Sequence, residues 1–138
     1  DARQHKVTKA LEDVTFIDMA MTGVVANTTR SYKQAALAHA VYYGVRTLFP
    51  KESKDALHGE IVAVGLFLQL HYNKLEHEIP VLKAFMQKMD MPLTLSDLGV
   101  SATDENLQKL EDYLLTTPHA AKDEAGRALL HEAMQELR

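Results

Sequence analysis

The sequence predicts an all-α fold, a helical bundle of six main helices. Three observations carry that prediction. Apolar residues recur at three- and four-residue steps through nearly the whole chain, which is the period of one helix face rather than of a strand. The segment Ile61 to Leu70 is apolar on almost every side, the pattern of a helix surrounded by other helices. No pair of alternating segments is strong enough to make a sheet, and the chain shows no internal repeat, low-complexity run or linker.

Each element follows in order. Leu11, Val14, Ile17, Met21 and Val24 form one stripe of a first helix expected to end near Asn27, before the polar break NTTRS. A second helix, about Tyr32 to Leu48, is rich in alanine, which lets backbones approach closely, and Phe49-Pro50 stops it. Lys51 to Asp55 reads as a solvated loop. The third helix begins near His58 and is taken as the centre of the fold. A fourth opens around Ile79-Pro80, carries Val81, Leu82, Phe85, Met86 and Met89, and ends before Met91-Pro92, where proline disfavours helix at the residue before it. PLTLSDLGV then reads as a short extended connection. Thr103 offers an N-cap oxygen, with Asp104 and Glu105 in the first turn, for a fifth helix whose stripe is Leu107, Leu110 and Leu114 and which ends at Thr116-Thr117-Pro118. The last helix runs from about Lys122 and is expected to bury Ala125, Leu129 and Met134 with Leu137.

Composition narrows the function. The 138 residues make one all-helical domain, residues 1–138, long enough for folding to bury roughly two thirds of the surface that the unfolded chain exposes. Fifteen basic against nineteen acidic side chains give a net charge of −4, which argues against nucleic acid as a partner. With no cysteine, a disulfide framework and thiolate metal sites are excluded, so any metal must use histidine and carboxylate ligands. The same lack fits a reducing cytoplasm, the expected location. The longest apolar run is far short of the roughly 20 residues that span a bilayer, so no membrane partner is expected. The polar start DARQHKVTKALEDV does not read as a signal peptide, and its lack of methionine suggests a processed or truncated product. Gly23, Gly44, Gly59, Gly65, Gly99 and Gly126 are scattered, so no phosphate-binding loop is present and no residue is assigned to cofactor binding or catalysis.

Two histidines stand out. His39 lies in the alanine-rich helix between Ala38 and Ala40, and His58 opens the central helix beside Gly59. An imidazole needs one free nitrogen lone pair to bind zinc or ferrous iron, and two ligands on adjacent helices converge where the helices cross. A hydrogen-bonded core histidine is the competing reading, and spacing alone leaves both open. His71 is thirteen residues beyond His58 on the same helix and is expected to play no part in a metal site. His77, His119 and His131 read as surface or cap residues, Met86, Met89 and Met91 as core filler, and Tyr42 and Tyr43 as core packing.

AALAHAVYYG followed by LHGEIVAVGLFLQL resembles the metal-dependent half of the glycerol dehydrogenase-like branch of the iron-containing alcohol dehydrogenase superfamily. The His-Gly-Glu-x-Val-Ala-x-Gly run is the specific part. MDMPLTLSDLGV looks like the family's connection to its C-terminal helices, and the likeness covers roughly residues 10 to 115. The resemblance implies the metal-binding C-terminal domain of a dehydroquinate synthase-like, iron-containing alcohol dehydrogenase fold. In that fold an N-terminal nucleotide-binding domain precedes the helices, with metal and substrate in the cleft between. The chain would then be a fragment lacking the N-terminal domain.

Carried over residue by residue, His39 matches the histidine ligand on the alanine-rich helix and His58 the ligand that opens His-Gly-Glu. The family's third ligand is an aspartate in a Gly-x-x-Asp-like setting; Asp1, Asp13 and Asp18 lack that setting. Gly59 is expected to let the helix start approach its neighbour, and Glu60 to favour the helix N-terminus rather than act in catalysis. The implied cofactors are a divalent metal, zinc ahead of iron, and NAD or NADP through a domain outside this chain. The implied reaction is reversible oxidation of an alcohol to a ketone. Dehydroquinate synthase has a similar His-Gly-Glu run, but its preceding helix carries glycines where this chain reads SYKQAALAHA. That helix also lacks the Gly-Gly-Leu opening of glycerol dehydrogenases, so the expected substrate is a small polyol, alcohol or hydroxy acid rather than glycerol in particular. A non-catalytic helical interaction or scaffold domain is the alternative, and homo-oligomer formation is left open. His39 and His58 are expected to face one pocket at a helix crossing, and the chain alone is expected to bind metal weakly and to be catalytically inert.

Overall fold

The computed structural model describes residues 6–21 and 36–138. The chain divides into two compact units, Asp1–Lys33 and Gln34–Arg138. Among the described residues there are six α-helices and no strand, so the domain is all-helical.

In the first unit, α1 (Lys9–Phe16) is followed by a π-helical turn, Ile17–Met21. Thr8 caps it, with its hydroxyl oxygen accepting from the Leu11 N–H, and Lys9 pairs with Asp13 one turn on. Val14 and Ile17 of the apolar stripe are exposed. The expected end near Asn27, the NTTRS break and the expected start of the second helix at Tyr32 lie outside the described residues.

In the second unit, α2 (Leu37–Leu48) and α3 (His58–Tyr72) form the main pair. Small residues set their separation: a Cβ on Gly65 would stand 2.9 Å from the Ala38 carbonyl oxygen and 3.1 Å from the Val41 Cβ. On another side of α2, a Cβ on Gly44 would press to 2.5 Å from Leu110 and 2.9 Å from Tyr113. The Gln69 side-chain oxygen accepts from the Ala38 N–H at 3.1 Å, which satisfies one orphan donor at the start of α2. α3 is central as expected: it packs on α2, on α4 (Ile79–Lys88), on α6 (Glu124–Ala133) and on the closing 3₁₀ turn Met134–Leu137. Ile61, Val64, Phe67 and Leu68 are fully buried, and Leu66 is half-buried.

Four expectations need correction. Ser53, in the loop read as solvated, is fully buried, because its hydroxyl donates to the Phe49 carbonyl at 2.8 Å and so brings the loop back onto the end of α2. Only Ile79 and Met86 of α4 are buried; Val81, Phe85 and Met89 are 66 %, 58 % and 60 % exposed, so the methionines do not all fill core. Residues 94–99 coil into a turn rather than an extended connection. Asp97 organises it by accepting from the Leu93 and Thr94 N–H groups at 3.0 Å each. Gly99, at φ 88°, lets this turn lie against the Glu52 carbonyl, where a Cβ would collide. Finally, α6 buries Gly126, Leu130 and Ala133 rather than Ala125 and Leu129, one residue round from the expected stripe. The fifth helix, α5 (Asp104–Thr116), matches throughout: the Thr103 hydroxyl accepts from the Asn106 N–H at 3.2 Å, and Leu107, Leu110 and Leu114 are buried.

Candidate functional site

His39 lies in the first turn of α2 and His58 is the first residue of α3, and the close α2–α3 contact brings the two rings together. Their centroids are 5.6 Å apart with the planes at 51°. Both residues are exposed on the unit, and neither is a core residue. Tyr42, one turn beyond His39, packs edge-on to His58 with centroids 4.4 Å apart and planes at 74°. Tyr42 is half-buried, whereas Tyr43 is 57 % exposed and is not core packing as the sequence suggested.

The loop between the helices fixes how His58 arrives. Arg46 donates from Nη1 to the Ser53 carbonyl at 2.6 Å and from Nη2 to the Ala56 carbonyl, while its guanidinium lies 5.9 Å from the Tyr42 ring centroid. Glu60 acts structurally, as expected: its carboxylate accepts from the Leu57 N–H at 2.7 Å and so completes the N-terminal turn of α3. Gly59 does not serve close packing, because a Cβ there would meet nothing within 4 Å. The sequence reading missed Arg46. The spacing of His39, Tyr42 and Arg46 by three and four residues was the available signal, since it sets all three on one face of α2.

Two imidazoles sharing a zinc ion through Zn–N bonds of about 2.0–2.1 Å at a tetrahedral angle place their centroids about 5 Å apart. The observed 5.6 Å fits two of the ligands of such a site. Among the described residues no third histidine, aspartate or glutamate completes a group of three. Asp13 is paired with Lys9, Asp18 is exposed, and Asp1 lies outside the described residues.

The other histidines are differently placed. His71 meets Glu136 at 3.2 Å, and Lys83 meets the other oxygen of the same carboxylate at 3.6 Å. His131, exposed, meets the largely buried Glu111 at 2.9 Å; His77 lies 3.4 Å from Glu78, and His119 is exposed. A groove of about 680 Å³ carries the carboxylates of Glu52, Asp55, Glu60, Asp90 and Asp97 and does not include His39 or His58. There the Leu93 N–H, then the Thr94 hydroxyl and N–H, hold the Asp97 carboxyl below its ordinary pKa. No helix among the described residues is long and apolar enough to cross a membrane.

No protein-family model matches the chain. Over 102 residues it is 33 % identical to a glycerol dehydrogenase of Citrobacter freundii, a match covering 72 % of this chain and 26 % of that protein. Hydroxycarboxylate dehydrogenase A of Escherichia coli is 29 % identical over 105 residues, covering 76 % of this chain and 28 % of the relative. An uncharacterised oxidoreductase of Synechocystis is 30 % identical over 109 residues, covering 73 % and 28 %. The chain therefore spans little more than a quarter of the length of these curated relatives, and its distant relatives are dehydrogenases and an oxidoreductase.

Proposed function

We propose that this chain is the metal-binding helical part of a metal-dependent, NAD(P)-linked dehydrogenase acting on a small polyol, alcohol or hydroxy acid. The observation that carries the reading is the His39–His58 pair, two exposed imidazoles 5.6 Å apart at the α2–α3 contact. Open space beside Gly59 supports it, since a site completed by further chain needs room at this end of α3. The similarity to a glycerol dehydrogenase and a hydroxycarboxylate dehydrogenase supports the substrate class.

In this reading His39 and His58 each give one ring nitrogen to a divalent ion, zinc ahead of iron. When bound with open positions, such an ion polarises an alcohol oxygen and eases hydride loss to nicotinamide. The chain's own contribution is to hold two imidazoles side by side. The Gly65 contact sets the distance between their helices, and the Arg46-tied loop sets the point where His58 begins α3. The dinucleotide falls to a nucleotide-binding domain outside this chain, because no glycine-rich helix start here offers N–H groups to a pyrophosphate.

The test has two arms. Zinc titrated into the 138-residue chain by calorimetry is expected to bind weakly, with His39→Ala and His58→Ala each losing at least about 10- to 100-fold in affinity. Joined to the nucleotide-binding domain of a related dehydrogenase, the chain is expected to reduce NAD or NADP with a polyol or hydroxy acid; alone it is expected to show no turnover. Metal-dependent turnover by the chain alone would contradict the division of labour. The lack of a third ligand among the described residues favours, as a second reading, a helical interaction domain that uses both histidines only for packing. Equal zinc affinity in the parent chain and the His58→Ala variant would select it.

A further inference from the structure

We infer that Tyr42 and Arg46 are positioning residues that hold the His58 imidazole facing His39. The inference rests on the metal-pair reading for its functional consequence and on geometry for its substance. His58 is the first residue of α3, and Gly59 beside it contributes no side chain to brace it. Among the described residues no hydrogen bond reaches either of its ring nitrogens. The orientation of the ring must therefore come from packing.

Tyr42 supplies that packing. Its ring stands edge-on to the imidazole at 4.4 Å and 74°, the arrangement favoured by the quadrupoles of two aromatic rings. Such a contact restrains a ring while using neither of its nitrogens. The Tyr42 ring in turn meets Tyr43, at 5.2 Å and 63°, and has the Arg46 guanidinium over it at 5.9 Å. Arg46 is a fixed support because its two terminal nitrogens bond the Ser53 and Ala56 carbonyls, and Ala56 lies two residues before His58. One face of α2 thus carries a ligand candidate, the ring that orients its partner, and the fork that ties down the partner's approach loop.

The test uses the full chain, first without metal. Nuclear Overhauser contacts between the His39 and His58 ring protons report whether the rings face each other. Zinc affinity by calorimetry reports the consequence, and circular dichroism checks folding. Tyr42→Phe keeps the ring and is expected to keep both the contact and an affinity within about twofold of the parent chain. Tyr42→Leu is expected to lose the contact and to bind zinc about 10- to 100-fold more weakly, the loss seen when groups that orient metal ligands are removed. Arg46→Met leaves both rings in place and is expected to shift both readouts in the same direction by less, so it decides the matter should the leucine variant fail to fold. A folded Tyr42→Leu or Arg46→Met chain with the ring contact and zinc affinity of the parent would overturn the inference. Zinc binding that is indifferent to His58→Ala would remove the metal-pair reading instead, while the metal-free ring contact would still decide whether Tyr42 and Arg46 set the orientation.

Discussion

At the N-terminal end of α3 the His58 ring is exposed and lies against two other rings, His39 at 5.6 Å and Tyr42 at 4.4 Å. At the C-terminal end of the same helix the His71 side chain is 20 % exposed and its Nδ1 meets Glu136 at 3.2 Å. His71 has its partner inside the protein, in a carboxylate that also holds Lys83. His58 is restrained by ring faces and edges, which leave its nitrogens for something else. The contrast teaches that a histidine's residue type and helix say little about its role, and that what its nitrogens touch says much more.

Phe67, fully buried near the middle of α3, anchors both ends to one core. Phe67→Ala is expected to cost about 3–5 kcal/mol in a urea or guanidinium titration, with the ring signals of His58 and His71 lost in a single transition. Separate transitions at the two ends would break the comparison at its root, because α3 would then not be one packed element. Gly65→Val acts on one end only. The added side chain presses on Ala38 and Val41 of α2, so a cost of about 1–3 kcal/mol is expected, together with loss of the His39–His58 ring contact and no change in the His71 signals.

Smaller effects belong to the charged groups. His71→Ala removes a part-buried pair whose expected stability loss is about 0.2–1 kcal/mol, with zinc affinity unchanged. Reduced zinc affinity in that variant would mean that the C-terminal end takes part in metal binding after all. The smallest change is expected at Asp97, whose carboxylate is satisfied within the protein much as His71 is. Its pKa is lowered on folding by the Leu93 N–H and by Thr94, so its contribution to stability is fully present above the ordinary carboxylate value and is lost as pH falls through the lowered one. In unfolding followed by circular dichroism across pH, Asp97→Asn should be slightly less stable than the parent near neutral pH, with the difference closing as pH falls through the lowered value.

Elements with their own punctuation were legible in the sequence. Thr103 with Asp104 and Glu105 marked the start of α5, Pro50 followed the end of α2, and Pro80 sits in the first turn of α4. The close approach of α2 was legible in its alanines, but the glycine that serves it is Gly65, against Ala38 and Val41, and not Gly59 at the start of α3. What was not legible depended on partners distant in the chain. In α6 and its closing 3₁₀ turn the expected burial of Met134 and Leu137 holds, with the Leu137 carbonyl accepting from the Leu95 N–H at 2.9 Å, but the preceding turns bury Gly126, Leu130 and Ala133 in place of Ala125 and Leu129. The apolar residues of α4 promised core and instead stand exposed at Val81, Phe85 and Met89, because apolarity alone does not say that a neighbour exists. At the candidate site His39 and His58 could be named from their motif. Arg46 was legible only as a neighbour of His39 and Tyr42 on one face of α2, because its role lies in two backbone carbonyls of a loop whose path the sequence does not specify.

The most direct measurement is a cobalt(II) or zinc titration of the full chain followed by NMR of the histidine rings, resolved residue by residue. The account predicts that the His39 and His58 resonances move together, with one midpoint, while those of His71 stay unchanged until far higher metal. His58→Ala should abolish the movement at His39 without unfolding the chain. Movement of His39 and His58 at separate midpoints, or of His71 at the same midpoint as His58, would contradict it.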